Sequence, residues 1–369
     1  MGIQKNNMRI GILGGGQLAM MMIEMSSKNN KLDFLVVDPG ENPPASKFIK
    51  CIKSEYDNQA SLDLLIKECN VVTIDFENVP AGALKYIEQH IPVYPNARAV
   101  EICQDRLFEK NLFVQNQIKT TNFEAIESEE DLIKAIDKIG TNSILKSRTL
   151  GYDGKNHISI NNQSPKEVWK SCGEIKSILE NKINFLTELS LIGVRTISGE
   201  TFFYPLVENY HKNGILNVSI APYKDIKLQK DAEFIHNKIT DELKYVGVLV
   251  IEFFLDENRQ LIANEMAPRV HNSGHWTISG ANISQFEAHI LAIANMEIKP
   301  ITINDNSAML NILSKMPNKD IIEKNGPLQF YDYGKSERQN RKLGHLTITN
   351  PDRSALMDKV KKISKIIFQ

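Results

Sequence analysis

The sequence has too few cysteines for a metal ribbon or a disulfide framework. There are four in 369 residues, Cys51, Cys69, Cys103 and Cys172, with no CxxC pair among them. Reduced, buried thiols suit that usage, and with it a reducing cytosol. Charge of either sign is not in excess. Lys and Arg total 44 against 45 for Asp and Glu, a net charge of -1. No global basic field exists to hold nucleic acid, so any anion must be held by a local cluster. Long hydrophobic runs are also missing: the most apolar early stretch is broken by three glycines, Gln17 and Glu24, and cannot span a bilayer. Met1 leads through the polar Lys5-Asn6-Asn7 into a strand-like segment, which leaves no signal peptide. Asn6 stands where a myristoylated Gly2 requires Ser or Thr. The expectation is a soluble, cytoplasmic protein without nucleic-acid or membrane partners. Apolar residues at 42% and charged residues at 24% are ordinary for a globular chain and exclude disorder and coiled coil. The length allows two or three domains at ~100–200 residues each.

What is present begins with alternation. Residues 8–13 read as a strand, 17–26 as a helix, 34–38 as a strand, 61–69 as a helix and 71–76 as a strand, and Pro80 opens a further helix at its favoured first position. That order predicts a doubly wound parallel sheet over the first hundred residues. Helices follow at 105–115 and 132–139, the second capped from Ser128 and stopped by Gly140. A strand at 143–147 and the loop Gly151-Tyr-Asp-Gly-Lys155 come next. Strand-like runs at 185–191, 201–207, 246–255 and 260–266 lead to an apolar helix at 284–296 and a mixed tail over 300–369. The fold class is α/β at the start and α+β afterwards.

Gly14-x-Gly16-x-x-Ala19 lies between strand and helix, with Asp38 ending the next strand. That layout offers backbone N–H groups and a helix N-terminus to phosphate. It reads equally as the turn of an NAD-dependent dehydrogenase, as a tight turn in any doubly wound domain, or as the site of another phosphate-bearing substrate.

Two strand-like runs flanking Asp256-Glu-Asn-Arg-Gln260 form a hairpin that carries Glu252 and Glu265. Any even-numbered loop puts both on one face, and a loop from Asp256 through Leu261 sets them directly opposite, with β-carbons ~5 Å apart. A β-bulge would break that register. Two carboxylates ~4 Å apart at an effective dielectric of ~20 repel by roughly 4 kcal/mol, and their neighbours Val250, Phe254 and Ala263 are apolar. A cation between them, or a proton on one, is required. With no His or Cys adjacent, the hard oxygen set points to Mg²⁺, with Mn²⁺ as its substitute. Salt-bridged or solvated glutamates are the other reading.

Cations cluster in Lys146-Ser-Arg-Thr-Leu-Gly151-Tyr-Asp-Gly154-Lys155, which suits a flap over polyphosphate or a plain surface turn. Pro268-Arg-Val-His271-Asn-Ser-Gly-His275 follows the second glutamate strand. Its two histidines are four apart, but Pro268 and Gly274 disfavour a helix, no HExxH is present, and hydrogen-bond donors to an anionic or hydroxylated ligand suit the segment better than zinc. Lys335, Arg341 and Lys342 would complete a phosphate pocket if one of them faced Arg269 across a cleft.

Gly14-Gly-Gly-Gln-Leu18, Phe76-Glu-Asn-Val-Pro80, Leu150-Gly-Tyr-Asp-Gly-Lys155, Phe203-Tyr-Pro-Leu206 with His211, the block from Asn264 to Thr277, Tyr333-Gly-Lys335 and Arg341-Lys-Leu-Gly-His345 occur in order along the chain. In these the sequence resembles the ATP-grasp enzymes, and among them the branch that carboxylates an aminoimidazole ribonucleotide in purine biosynthesis. The resemblance implies a pre-ATP-grasp domain (1–103), a lid (104–183), a metal, ATP and substrate domain (184–299), a C-terminal subdomain (300–369), and a homodimer. It implies that ATP, bicarbonate and 5-aminoimidazole ribonucleotide react through carboxyphosphate, with the Gly151–Lys155 loop closing against water. ATP would be met by Arg106, Lys146, Gly151, Tyr152, Asp153, Gly154, Lys155, Asn156, His157, Glu180, Asn181, Lys182, Ile183, Glu188, His211, Asn264 and Glu265. Glu252 and Glu265 would hold the metal. Gly16, Gln17, Glu77, Tyr152, Asp153, Lys155, Arg269, His271, Asn272, Ser273, Lys335, Arg341 and Lys342 would hold the ribonucleotide. Lys146, Glu77, Tyr152, Lys155 and Arg269 would stand nearest the chemistry.

The chain departs from that pattern at Ala19-Met20, where Gly-Arg is usual, and at Asn156-His157, where Gly-Gln is usual. A superfamily relative that activates a different acid, a dehydrogenase and a non-catalytic nucleotide-binding module are the competing readings.

Overall fold

The alternation of the first hundred residues produces the parallel sheet that the spacing predicts. Strands β1 (Met8–Leu13), β2 (Leu32–Asp38), β3 (Ile52–Lys53) and β4 (Val71–Ile74) lie in the order β3-β2-β1-β4, all parallel. The computed structural model describes residues 7–151, 157–161, 163–318, 320, 324 and 328–368. Helix Gln17–Ser26 follows β1 and buries every residue from Leu18 to Ile23, because the helix Gln285–Ile293 covers the side turned away from the sheet. At about 1.5–3 kcal/mol per fully buried large apolar side chain, this seam is what docks the N-terminal sheet on the rest. A polar tie crosses it. His289 Nδ1 accepts the Val248 N–H at 3.0 Å, so its Nε2–H is left to donate to Thr73 Oγ1 at 2.8 Å.

A second sheet is small and antiparallel: β5 (Phe123–Ile126), β6 (Ser143–Ser147), β7 (His157–Ser159) and β8 (Ser177–Asn181), in the order β5-β8-β6-β7. Helix Glu129–Ile139 packs on it. Ser128 caps that helix by accepting the Asp131 N–H, and Gly140 ends it at φ 95, a conformation that favours glycine.

The third sheet has nine strands: β9 (Thr187–Arg195), β10 (Thr201–Phe203), β11 (Val207–Lys212), β12 (Ile215–Ala221), β13 (Gly247–Leu255), β14 (Leu261–Ala267), β15 (Asn306–Leu313), β16 (Gln329–Asp332) and β17 (Lys342–Asn350). Their order is β14-β13-β9-β11-β12-β15-β17-β16, with β10 paired to β9. Three expectations change here. The run 201–207 is not one strand but β10 and β11, since Pro205 has no N–H to give a ladder. The boundary at 299/300 does not divide the sheet, because β15 pairs with β12 and carries the tail into it. Helix Arg106–Gln115, expected in the lid, packs instead on the nine-stranded sheet, where Leu112 and Phe113 share a core with Leu249, Ile251 and Phe253.

Candidate active site

The glycine turn closes on itself rather than on a ligand. Gly15 N–H donates to Asp38 Oδ2 at 2.7 Å, and Gly16 and Ala19 N–H both donate to Asp75. A side chain at Gly16 would collide with the Asp75 carboxylate. The donors expected to meet phosphate are thus largely taken by two of the chain's own carboxylates, and Asp38, the residue a dinucleotide ribose would require, is spent on the turn. The dehydrogenase reading loses its binding groups.

The hairpin brings the two glutamates together by a route the sequence did not suggest. The turn Asp256–Gln260 has five residues and pairs Leu255 with Leu261, a register that alone would set Glu252 against Asn264. The register then shifts between Glu252 and Phe253, so that Glu252 faces Glu265 and Asn264 is the extra residue. The bulge, expected to break the pairing, creates it. A second shift in the β11–β12 pair falls at Tyr210/His211, and bulges next to clefts re-aim side chains in this way. His211 Nδ1–H donates to Glu188 on the neighbouring strand. Burial opposes protonation of His211, but Glu188, Glu252 and Glu265 together raise it.

Charge within the pair is divided unequally. Burial and then the charge of Glu265 push the Glu252 carboxyl up. Burial presses Glu265 the same way, but Arg106, whose Nη1 lies 2.9 Å from it, holds it well below the usual carboxylate range. Among the described residues no three His, Cys, Asp or Glu side chains gather as a metal cage. A hexacoordinate hard cation held by one or two carboxylates and completed by phosphate and water oxygens needs no such cage, and the pair fits one, since Arg106 compensates Glu265 while Glu252 is still pushed up by its neighbour's charge.

Around the pair lie two clefts of about 540 and 450 Å³. The larger is lined by Gly16, Gln17, Glu77, Gly151 and Arg269 of the expected residues, with Asp75, Tyr56, Phe76 and His275. The smaller is lined by Lys146, His157, Glu180, Asn181, Lys182, Ile183, Glu188, His211 and Asn264, with Phe185 and Phe254, whose rings stack at 4.7 Å. Arg106, Glu252, Glu265, His271, Asn272 and Lys342 line both.

In the larger cleft Arg269 Nε donates to Glu77. Burial favours the neutral acid, yet Arg269 keeps the Glu77 carboxyl below its ordinary value. His271 is fixed from behind by a buried chain of hydrogen bonds. Ser219 donates to Asn209, Asn209 to Ser190 and Ser190 to Ser273, at 2.8, 3.0 and 2.9 Å, and Ser273 Oγ lies 2.9 Å from His271 Nδ1. The Ser273 N–H also points at Nδ1, so the proton sits on Nε2, 3.4 Å from Glu252 Oε1. Burial, then Arg269 and Lys342, lower His271 to about 3, and it is neutral.

Three expected ligand residues are placed elsewhere. Ser273 is fully buried in the chain just described. Lys335 does not line the larger cleft and donates to Gln17, and Arg341 is held by Ser336. Of the tail cations only Lys342 lines the cleft with Arg269. Tyr152, Asp153, Gly154, Lys155 and Asn156 lie outside the described residues. The zinc alternative fails on His275, whose ring is packed against His345 and Phe286. All four cysteines are free thiols.

Other groups went unread. Glu109 and Lys110 stand three and four residues after Arg106, hence on its helix face. Glu109 lines the larger cleft, accepts the Met266 N–H, and is pushed up by burial and by Glu265. Phe254, two residues from Glu252, could have been found by strand alternation. Asn311, which exchanges hydrogen bonds with Asn272 at 2.9 and 3.1 Å, gave no signal, because only the sheet brings β15 there.

Comparison with known proteins agrees with this layout. Residues 7–104 match the ribonucleotide synthetase preATP-grasp domain, 111–286 the ATP-grasp domain, and 307–359 the phosphoribosylaminoimidazole carboxylase C-terminal domain. A protein of Pseudomonas aeruginosa named N5-carboxyaminoimidazole ribonucleotide synthase is 39% identical over 363 residues, 98% of this chain and 99% of its own. The crystal structure of N5-carboxyaminoimidazole ribonucleotide synthetase from Thermus thermophilus is similar at TM-score 0.92 and 36% identity, covering 98% and 99% of the two chains. That of the Aspergillus clavatus synthase in complex with ADP and 5-aminoimidazole ribonucleotide is similar at TM-score 0.89 and 26% identity, covering 99% of each.

Proposed function

The chain belongs to the N5-carboxyaminoimidazole ribonucleotide synthases, ATP-grasp ligases of purine biosynthesis, and from that premise we propose how its residues divide the reaction. The smaller cleft takes ATP, with the Phe185–Phe254 pair at its apolar end and Lys146 and Arg106 toward the phosphates. The larger cleft takes 5-aminoimidazole ribonucleotide against Arg269, His271, Asn272 and Lys342, and by resemblance Tyr152, Asp153 and Lys155 join it. The observation that carries this reading is the seam: the carboxylate pair, Arg106 and His271 line both clefts, so a γ-phosphoryl in one lies beside an acceptor in the other.

Bicarbonate oxygen attacks the γ-phosphorus and the bond to ADP breaks, giving carboxyphosphate. The substrate amine then takes the carboxyl group, losing a proton as phosphate leaves. Such transfers depend on positioning and charge more than on covalent participation. Glu252 and Glu265 would hold Mg²⁺, which when bound supplies charge stabilisation to the phosphates. Arg106 holds Glu265 ionised and in place. Arg269, fixed by Glu77, offers a planar cation to carboxylate or phosphate oxygens. His271, neutral and with its proton on Nε2, donates without adding charge. We place the enzyme in the cytoplasm as a homodimer, as the family resemblance implies. No helix among the described residues is long and apolar enough to cross a membrane.

The test is ADP release with bicarbonate and aminoimidazole ribonucleotide added singly and together. Full turnover only with both supports the assignment. Turnover with formate or an amino acid in place of bicarbonate refutes it.

A further inference from the structure

Lys110 is a lysine with almost no surface: its side chain is 2% exposed and lines neither cleft. Its ammonium makes three contacts, to Thr120 Oγ1 at 2.9 Å, Thr121 Oγ1 at 3.1 Å and Glu180 Oε2 at 3.1 Å. Glu180 is as deeply buried. Its Oε2 also accepts from Thr121 at 2.7 Å, and its Oε1 lies 2.9 Å from Lys146 Nζ. Burial would keep Glu180 protonated, but Lys146 and Lys110 hold it ionised, well below the usual carboxylate range. Its carboxylate therefore faces inward, between two lysines, and only Lys146 of the two lines the smaller cleft.

The charge count gives this arrangement a purpose. A Lys146–Glu180 pair alone would be neutral and would present little attraction to a polyphosphate. Adding Lys110 behind it leaves one surplus positive charge, at the end that faces the cleft. A lone buried cation is costly and a lone buried pair gains little, but a cation–anion–cation row keeps its middle member satisfied and its outer member available. Low dielectric around the row lets that surplus act over several ångströms with little screening. We propose that Lys110 is a positioning residue for nucleotide binding: it satisfies Glu180 from the rear, so that Lys146 meets the triphosphate as a fixed and uncompensated cation. The proposal rests on the smaller cleft being the ATP site.

The test compares Lys110→Met, Glu180→Gln with Lys110→Met, Lys110→Arg and Lys146→Met in the full chain. Calorimetry measures ATP, ADP and adenosine binding, and thermal unfolding checks the fold. Lys110→Met, which leaves a neutral pair, weakens ATP by about tenfold or more, ADP less and adenosine not at all, as an electrostatic effect on phosphate requires. Lys110→Arg retains the charge and stays near wild type. The double variant has the same net charge as wild type, and its removal of a buried pair is tolerable, so it recovers most of the ATP affinity. Recovery is the readout that a merely structural role would not give. If Lys110→Met fails to fold, the double variant alone decides: ATP affinity within about threefold of wild type supports the proposal, and a tenfold loss overturns it. Unchanged ATP binding in Lys110→Met also overturns it, provided Lys146→Met is weakened. If Lys146→Met binds ATP normally, the location of the nucleotide is what fails.

Discussion

Glu252→Gln separates what the carboxylate pair does for the fold from what it does for turnover. The two residues are directly opposed across the β13–β14 ladder, where β-carbons lie ~5 Å apart. Unit charges at ~5 Å and an effective dielectric of ~20 repel by about 3 kcal/mol. The Glu265 side chain is 42% exposed and paired with Arg106, so screening reduces this to about 1 kcal/mol. In metal-free protein near pH 8 the variant is therefore more stable than wild type by about that amount. The sign follows from linkage. Burial and Glu265 raise the folded-state pKa of Glu252 above its unfolded value, so over that interval the folded protein holds a proton that the unfolded chain releases. Wild-type stability falls as pH climbs from the ordinary carboxylate range through the raised value, and in Glu252→Gln this slope is absent. Below the ordinary range the two proteins converge. With Mg²⁺ and all substrates, ADP release drops by at least about 10²-fold, because a ligand worth several kcal/mol of charge stabilisation is lost. Urea unfolding in EDTA between pH 5 and 8, beside an ADP assay, measures both. A variant less stable than wild type without metal, or one that keeps its turnover, refutes the reasoning.

Three further outcomes are expected. Burial, against the pull of Asp75 and with the help of Arg341 and Lys342, lowers Lys335 to about 8; above that pH it loses its charge and its hold on Gln17, which lines the larger cleft, so the ribonucleotide KM rises in wild type and stays flat in Lys335→Arg, as initial rates across pH will tell. Ser273→Ala cuts the buried chain behind His271 and leaves polar groups unpaired, costing about 1–3 kcal/mol in unfolding and slowing turnover although Ser273 lines neither cleft; unchanged kinetics would show the chain to be passive. Thr73→Val removes the partner of His289 Nε2 at the seam between the first and third sheets, so denaturation shifts by about 1–2 kcal/mol while KM and kcat stay as they were.

How much of this was legible depended on whether the signal was local. Helix 17–26 and strand 143–147 were placed to the residue, because a glycine turn and short apolar runs are local features. Gly140 and Ser128 marked the ends of one helix for the same reason. The carboxylate pair was read correctly in outcome but not in cause, since nothing in Asp256–Gln260 announces a bulge at Asn264. Glu180 was expected at ATP; it lines the smaller cleft, with its carboxylate held between Lys146 and Lys110. The Lys110 contact depends on β8 lying beside helix Arg106–Gln115, a contact between segments some seventy residues apart. Asn311 was invisible for the same reason. The run 201–207 divides at a local signal, Pro205, which has no N–H to give a ladder.

The ladder between β12 and β15 has a mechanical consequence. A tail joined edge to edge with the main sheet cannot swing without tearing backbone bonds, whereas the sheet β5-β8-β6-β7 shares no ladder with the main sheet and is tied to the body by ion pairs, Lys110 on Glu180 and Arg148 on Asp105, and by the Arg106 N–H on the Arg148 carbonyl. Of the walls around the two clefts, then, the one that includes Lys342 is held by ladder bonds, and the one bearing Lys146 and Glu180 by buried ion pairs.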